Sequence, residues 1–196
     1  ALRKTLIGNG LTGFLVPHAD EYQNEYLPPC GERLAWLTGF TGSAGFAVVL
    51  AKKASVFADG RYTLQVQKEV NSKLFDICHL METPPSAWLA AHLSKQDVIG
   101  YDPWLHGVAE IEAFRAVCQE AGAVLRPVTV NPLDQVWTER PPLPLGPVTP
   151  HTNEFAGQTS ADKRQLLAQD LIKAKLDLAV ITAPDSIAWL LNIRGT

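Results

Sequence analysis

At 196 residues, 46% hydrophobic and 19% charged, the chain has the composition of a globular protein that buries a core. Its formal net charge of −3 provides no basic field to attract nucleic acid or an anionic lipid surface, and no apolar run approaches the roughly 20 residues that span a bilayer. Cys30, Cys78 and Cys118 are odd in number and far apart, a pattern of reduced thiols rather than a disulfide framework. The opening ALRKTLIGNG has no long apolar stretch to act as a secretory signal, so a cytoplasmic location is expected.

Taken in order, Leu2–Ile7 reads as the end of a helix stopped by Gly8–Asn9–Gly10, followed by a strand at Gly13–Val16 that Pro17 ends. His18–Arg33 is polar and contains prolines, which predicts a surface excursion. Ala35–Trp36–Leu37 restarts apolar structure, and Thr38–Gly45, with three glycines, forms a tight loop. Phe46–Leu50 and Ser55–Ala58 are short runs rich in Val and Phe, separated by Ala51–Lys52–Lys53, which predicts a buried hairpin. Asp59 is placed to cap a helix carrying Tyr62, Val66, Glu69 and Val70. Beyond it lie a strand at Phe75–Leu80, a helix opened by Pro84–Pro85 and running to about Leu93, a strand at Val98–Tyr101 and a helix over Gly107–Gly122. A strand at Val124–Val128 and a short helix or turn at Asn131–Trp137 complete this part. Hairpins in the first half and alternating strands and helices in the second predict an α/β fold, a mixed β-sheet flanked by helices.

Pro141, Pro142, Pro144, Pro147 and Pro150 then crowd into ten residues. Proline fixes φ and removes amide donors, so an extended linker is expected here, dividing a domain at 1–150 from the remainder at 151–196. Ser160–Lys175 reads as a helix capped by Ser160, and Leu178–Thr182 as a strand. The tail repeats the head. Leu6, Ile7, Leu11 and Asp20 correspond to Leu171, Ile172, Leu176 and Asp185 at one constant offset, and Ala35–Trp36–Leu37 to Ala188–Trp189–Leu190 at a shorter one. The second copy breaks off where the first continues into its hairpin, as expected of a piece of a longer protein that contains the start of a second, similar domain.

Motifs that carry chemistry are sparse. Gly8–Asn9–Gly10–Leu11–Thr12–Gly13 fits G-x-G-x-x-G, but a helix precedes it and a strand follows, the reverse of a dinucleotide site, so it reads as a turn. Thr41–Gly42–Ser43–Ala44–Gly45 lacks the first glycine of a nucleophile elbow, which makes Ser43 a loop residue. His18, His79, His92, His106 and His151 are scattered with no metal-binding spacing. The acidic pairs Asp20–Glu21 and Glu110/Glu112 lie in a loop and on diverging helix faces. No catalytic and no metal-ligating residue is therefore assigned. The five tryptophans read as anchors of cores or interfaces. Arg61, beside a helix start, is the one candidate for substrate contact, with a structural role favoured: a buried or half-buried partner tying that helix to the Thr38–Gly45 loop.

Four segments carry a family resemblance: Leu37–Gly45 (LTGFTGSAG), Phe57–Tyr62 (FADGRY), Ile99–Pro103 (IGYDP) and Val136–Pro141 (VWTERP). In this order they resemble the N-terminal region of Xaa-Pro aminopeptidases of the creatinase/prolidase-like family, and Asp185–Gly195 (DSIAWLLNIRG) resembles the opening of the second domain of their three-domain form. The resemblance implies a creatinase-type N-terminal domain with a ribonuclease H-like motif, followed by a truncated second one. It implies a parent hydrolase that removes the first residue from Xaa-Pro peptides, using two divalent metal ions, usually manganese, in a C-terminal domain that this sequence lacks. The N-terminal part would be non-catalytic, shaping access to the active site and assembly. Its partners would be the catalytic domain, peptide substrate and a second subunit in a homo-oligomer, with no nucleic acid and no membrane. An N-terminal domain of a prolidase- or creatinase-like relative, and a stand-alone binding or dimerisation module, are the alternatives.

Overall fold

The structure, a computed structural model, describes residues 1–195, and the chain divides into two compact units. The first comprises Ala1–Glu21 and Glu25–Pro141; the second comprises Tyr22–Asn24 and the chain from Pro142 on.

The first unit runs α1 (Leu2–Gly8), β1 (Gly13–Pro17), α2 (Arg33–Thr38), β2 (Gly45–Leu50), β3 (Ala54–Ala58), α3 (Thr63–Glu69), β4 (Asp76–His79), α4 (Pro85–Ala90), β5 (Val98–Tyr101), α5 (Val108–Ala121), β6 (Val124–Pro127) and α6 (Pro132–Val136). Its six strands form one sheet in the order β4-β3-β2-β1-β5-β6. Strand β2 is antiparallel to both β1 and β3, while the β1–β5, β3–β4 and β5–β6 pairs are parallel, so five strands point one way and β2 alone opposes them. The hairpin register sets Phe46 opposite Phe57 and Val48 opposite Ser55.

The strands read as continuous apolar runs because both faces of the sheet are covered. Side chains alternate between two cores. Phe14, Val16, Ala47, Val49 and Val56 face one side, where Leu2 and Leu6 of α1, Leu34 of α2, Val66 of α3 and Leu133 of α6 meet them. Leu15, Phe46, Val48 and Phe57 face the other, against Trp88 and Leu89 of α4 and Ile111, Phe114 and Cys118 of α5. Helix α5 closes on Gly122 at φ 71°, and Asn131 caps α6 by accepting from the Leu133 amide. Tryptophan is divided in its use: Trp88 and Trp137 are buried, whereas Trp36, stacked on Trp137 at 5.4 Å, and Trp104 and Trp189 keep much of their surface in solvent.

The second unit contains β7 (Thr149–Pro150), α7 (Asn153–Ala156), α8 (Ser160–Ala174), α9 (Pro184–Leu191) and β8 (Ile193–Arg194), with β7 and β8 antiparallel. Two expectations change here. The cap of α8 is Thr159, whose hydroxyl accepts from the Asp162 amide; a cap lies just outside the helix, and Ser160 is its first helical residue. Leu178–Thr182 forms no strand, and Leu178 and Val180 are exposed. A strand needs a ladder partner, and among the described residues of this unit only the two-residue pair β7–β8 makes one. Lys163, only 4% exposed, links α8 to α9. Its ammonium donates to the Trp189 carbonyl (3.0 Å) and Asn192 Oδ1 (2.6 Å) and sits 4.4 Å from the Trp189 ring centroid.

Candidate functional site

In open α/β sheets, ligand crevices form beyond the carboxyl ends of the strands. At that edge His18 follows β1, Asp59 follows β3, and Gly42 and Ser43 lead into β2, whose direction is reversed. The polar excursion and the glycine loop meet there. Between them lies a cleft of about 320 Å³, walled by His18, Glu25, Tyr26 and Glu32 on one side and by Thr41, Ser43, Tyr62 and Gln65 on the other.

The glycine-loop wall is built by close approach. A Cβ at Gly42 would stand 2.3 Å from the Phe40 ring and 2.8 Å from Tyr62, so only glycine lets the loop fold over the buried Phe40. Glu69, at the end of α3, fastens this loop. Its carboxylate accepts from the Thr41 amide (2.9 Å), the Thr41 hydroxyl (2.9 Å) and Gln65 Nε2 (3.0 Å). The Thr41 amide bond leads the effects that hold the Glu69 carboxyl below its ordinary range. Ser43 Oγ and the Tyr62 hydroxyl are hydrogen-bonded at 2.7 Å, which ties the loop to the β3–α3 junction.

Arg61 does not have the place expected of it. Its side chain is 68% exposed and its guanidinium bonds Asp59, at 2.7 Å from Nη2 and 2.9 Å from Nε, while Asp59 also caps the turn by accepting from the Arg61 amide. The loop is tied down by Glu69 and Tyr62 instead. Arg61 is the middle residue of a 3-10 turn, Gly60–Tyr62, which leaves its side chain exposed and folded back onto the turn's own cap, Asp59. The Arg61 bond holds the Asp59 carboxyl below its ordinary range, and Asp59 raises Arg61 in return, with a smaller contribution from Glu25.

The excursion is less superficial than its composition suggests. Asp20, Cys30 and Arg33 are buried. Arg33 makes a two-pronged pair with Asp134 (2.8 and 3.0 Å), which also accepts from Arg140 at 2.7 Å, while Arg140 Nε donates to the Cys30 carbonyl. Burial lowers the Arg33 pKa, but the bond and charge of Asp134, with Asp102 and Glu21, outweigh it and leave a net rise. The acidic pairs do not converge: Asp20 is buried beside an exposed Glu21, and Glu110 binds His106 Nδ1 at 2.7 Å whereas Glu112 binds Arg115. Among the described residues no group of three or more His, Cys, Asp or Glu side chains is arranged to hold a metal ion. Sequence reasoning missed the Glu69–Thr41 fastening and the Asp134 bridge. Gln65 and Glu69 at i, i+4 were visible, but their long-range partners leave no local signal.

A six-stranded mixed sheet with helices on both faces, and a cleft at its carboxyl edge bordered by a fastened glycine loop, defines a three-layer α/β domain. The sequence profile of the Creatinase/Prolidase N-terminal domain matches residues 1–134, and a second profile of the same description matches 139–196. The chain belongs to the creatinase/prolidase N-terminal domain family. Among its relatives are Xaa-Pro aminopeptidase 2 of Sus scrofa, 32% identical over 100% of this chain and 30% of that protein, and a probable Xaa-Pro aminopeptidase P of Coccidioides posadasii, 37% identical over 99% and 32%. The chain thus spans about a third of the length of these relatives. The crystal structure of X-prolyl aminopeptidase from Caenorhabditis elegans, described as a cytosolic enzyme with a di-nuclear active site, is similar with a TM-score of 0.84 and 31% identity, covering 99% of this chain and 34% of that one. The N-terminal domain of a cytoplasmic peptidase from Mycobacterium tuberculosis shares the fold, with a TM-score of 0.50 at 19% identity. No helix among the described residues is long and apolar enough to cross a membrane.

Proposed function

We propose that this chain is the non-catalytic N-terminal part of a longer metal-dependent aminopeptidase that releases the first residue from Xaa-Pro peptides. The supporting observation is the match over 99% of the chain, at 31% identity, to an X-prolyl aminopeptidase that is about three times longer. On this reading a first domain and the opening of a second meet in the proline run between Pro141 and Pro150. Both metals, manganese in this proposal, belong to residues outside this sequence. The N-terminal part narrows access to the catalytic cleft and contributes to a homo-oligomer in the cytoplasm. Arg61, exposed at the sheet edge, is its candidate for substrate contact.

The test compares this chain with the longer protein that contains it. The chain alone is expected to show no turnover of an Xaa-Pro tripeptide and no stoichiometric manganese by calorimetry; the longer protein is expected to show both. Turnover by the 196 residues alone, or a longer protein inert towards such peptides, would overturn the proposal.

A further inference from the structure

The cleft at the carboxyl edge has a chemistry of its own. It is walled by two carboxylates on separate stretches, Glu25 in the excursion and Glu32 at the start of α2. Among the described residues neither side chain takes part in an ion pair or a hydrogen bond, and in the same lining the buried Nε2 of His18 has no hydrogen-bond partner, whereas Thr41, Ser43, Tyr62 and Gln65 are bonded. The phenol rings of Tyr26 and Tyr62 border the same space. Tyr62 already receives a cation on one side, with the Arg61 guanidinium carbon 5.4 Å from its ring centroid. The Ser43–Tyr62 hydroxyl pair and the Gln65 amide add acceptors. A volume of about 320 Å³ is at the small end of ligand pockets and holds one head group rather than a folded segment. Arg61 is not part of the lining: it is engaged by Asp59 through three side-chain contacts, and Glu25 acts on it only as a minor charge.

We infer that this cleft binds one guanidinium or ammonium group, seated against Glu25, Tyr26 and Glu32 on the excursion wall with Tyr62 across from it. Two carboxylates and two phenol side chains around one small cleft select a planar or compact cation. They repel anions, and a neutral alcohol or amide gains nothing that water does not already supply. The donor is either a free amine or a basic side chain of a polypeptide. The inference rests on this chain's geometry and not on the proposed parent activity.

Isotope-labelled chain would be titrated with agmatine at fixed ionic strength and followed by amide chemical shifts. Saturable shifts are expected at Glu25, Glu32, Ser43 and Tyr62, with none from isoamyl alcohol at the same concentration. The double variant Glu25→Gln with Glu32→Gln is expected to bind about tenfold more weakly, or ~1.4 kcal/mol. Both positions reach solvent, so the fold should survive; if it does not, Glu32→Gln alone is expected to weaken binding severalfold. Binding of acetyl-Gly-Arg-Gly-amide at least as tight as agmatine identifies a polypeptide side chain as the donor, and binding of agmatine alone identifies a free amine. Shifts no larger than those from sodium chloride, shifts spread over acidic groups away from the cleft, or unchanged affinity in the variants would overturn the inference.

Discussion

Arg61 shows how much a single side chain depends on where its turn points it. An exposed guanidinium bonded two residues back gains little, because water and salt screen the pair. Arg61→Ala is therefore expected to melt close to wild type at neutral pH; a large drop would restore the buried role that the structure removes. The same contacts give a pH dependence with a definite sign. Asp59 and Glu69 both titrate below their ordinary values of 3.8 and 4.5 in the fold, so their contribution is present above those values and lost as pH falls through the folded ones. Denaturant melts are expected to show stability falling on the acid side of about pH 4.5, with Glu69→Gln flattening part of that slope and freeing the Thr38–Gly45 amides to exchange. An identical acid slope in that variant would exclude Glu69 as the fastening group. Cys118 moves the other way. Burial leads the effects that push its thiol from 9.0 to about 11, so it should resist thiol reagents in the native state, while half-buried Cys78 reacts first. Equal labelling rates for the two would contradict this packing.

At the scale of elements, local rules succeeded where the signal was local. The Phe46–Leu50 and Ser55–Ala58 runs pair as expected because β-branched and aromatic residues flank a polar turn, and Gly122 and Asn131 cap as their chemistry dictates, while Asp59 caps the 3-10 turn ahead of α3 and not α3 itself. Leu178–Thr182 was misread for the opposite reason. Its composition suits a strand, but a strand exists only with a partner, which no property of those five residues reveals. The cleft was legible only in part: the two outward segments could be named from composition, while their meeting at the ends of β1 and β3 is a property of topology. Lys163 illustrates the same limit in the second unit. On sequence it is one more charged helix residue, yet it is buried and spans α8 to the end of α9. Removing it takes the donor from Asn192 Oδ1 and leaves the Trp189 carbonyl only the long 3.4 Å contact from the Asn192 amide, so Lys163→Ala is expected to cost about 1–3 kcal/mol in that unit. The loss should appear as faster amide exchange in Pro184–Leu191 with β1–β6 unaffected. Exchange in α9 matching wild type would show that apolar packing alone holds the pair.

On the scale of the whole molecule, the decisive feature is where the cores lie. Both apolar cores are composed of residues between Leu2 and Leu133, covering both faces of the six-stranded sheet. The late anchor Asp134, which binds Arg33 and Arg140, also falls before the proline run. Domains separate where few contacts cross and where chain stiffness replaces packing. A chain ending at Pro141 is therefore expected to fold alone, with a cooperative melt and the amide dispersion of a packed sheet. Its stability should be close to that of the full chain, since it retains both cores and the Arg33–Asp134–Arg140 bridge. Shortening it further, to Asn131, removes α6, with its fully buried Leu133 and its half-buried Asp134, and leaves the Arg33 guanidinium without its carboxylate. Stranding a buried charge typically costs about 3–5 kcal/mol, and losing a buried leucine about 2–5 kcal/mol. Together these approach the 5–15 kcal/mol total stability of a domain, so the shorter chain should be unfolded or marginal. Unfolding of the Pro141 chain would show that the two cores do not by themselves sustain the first unit, and survival of the Asn131 chain with full stability would show that α6 and the Asp134 bridge are dispensable to it.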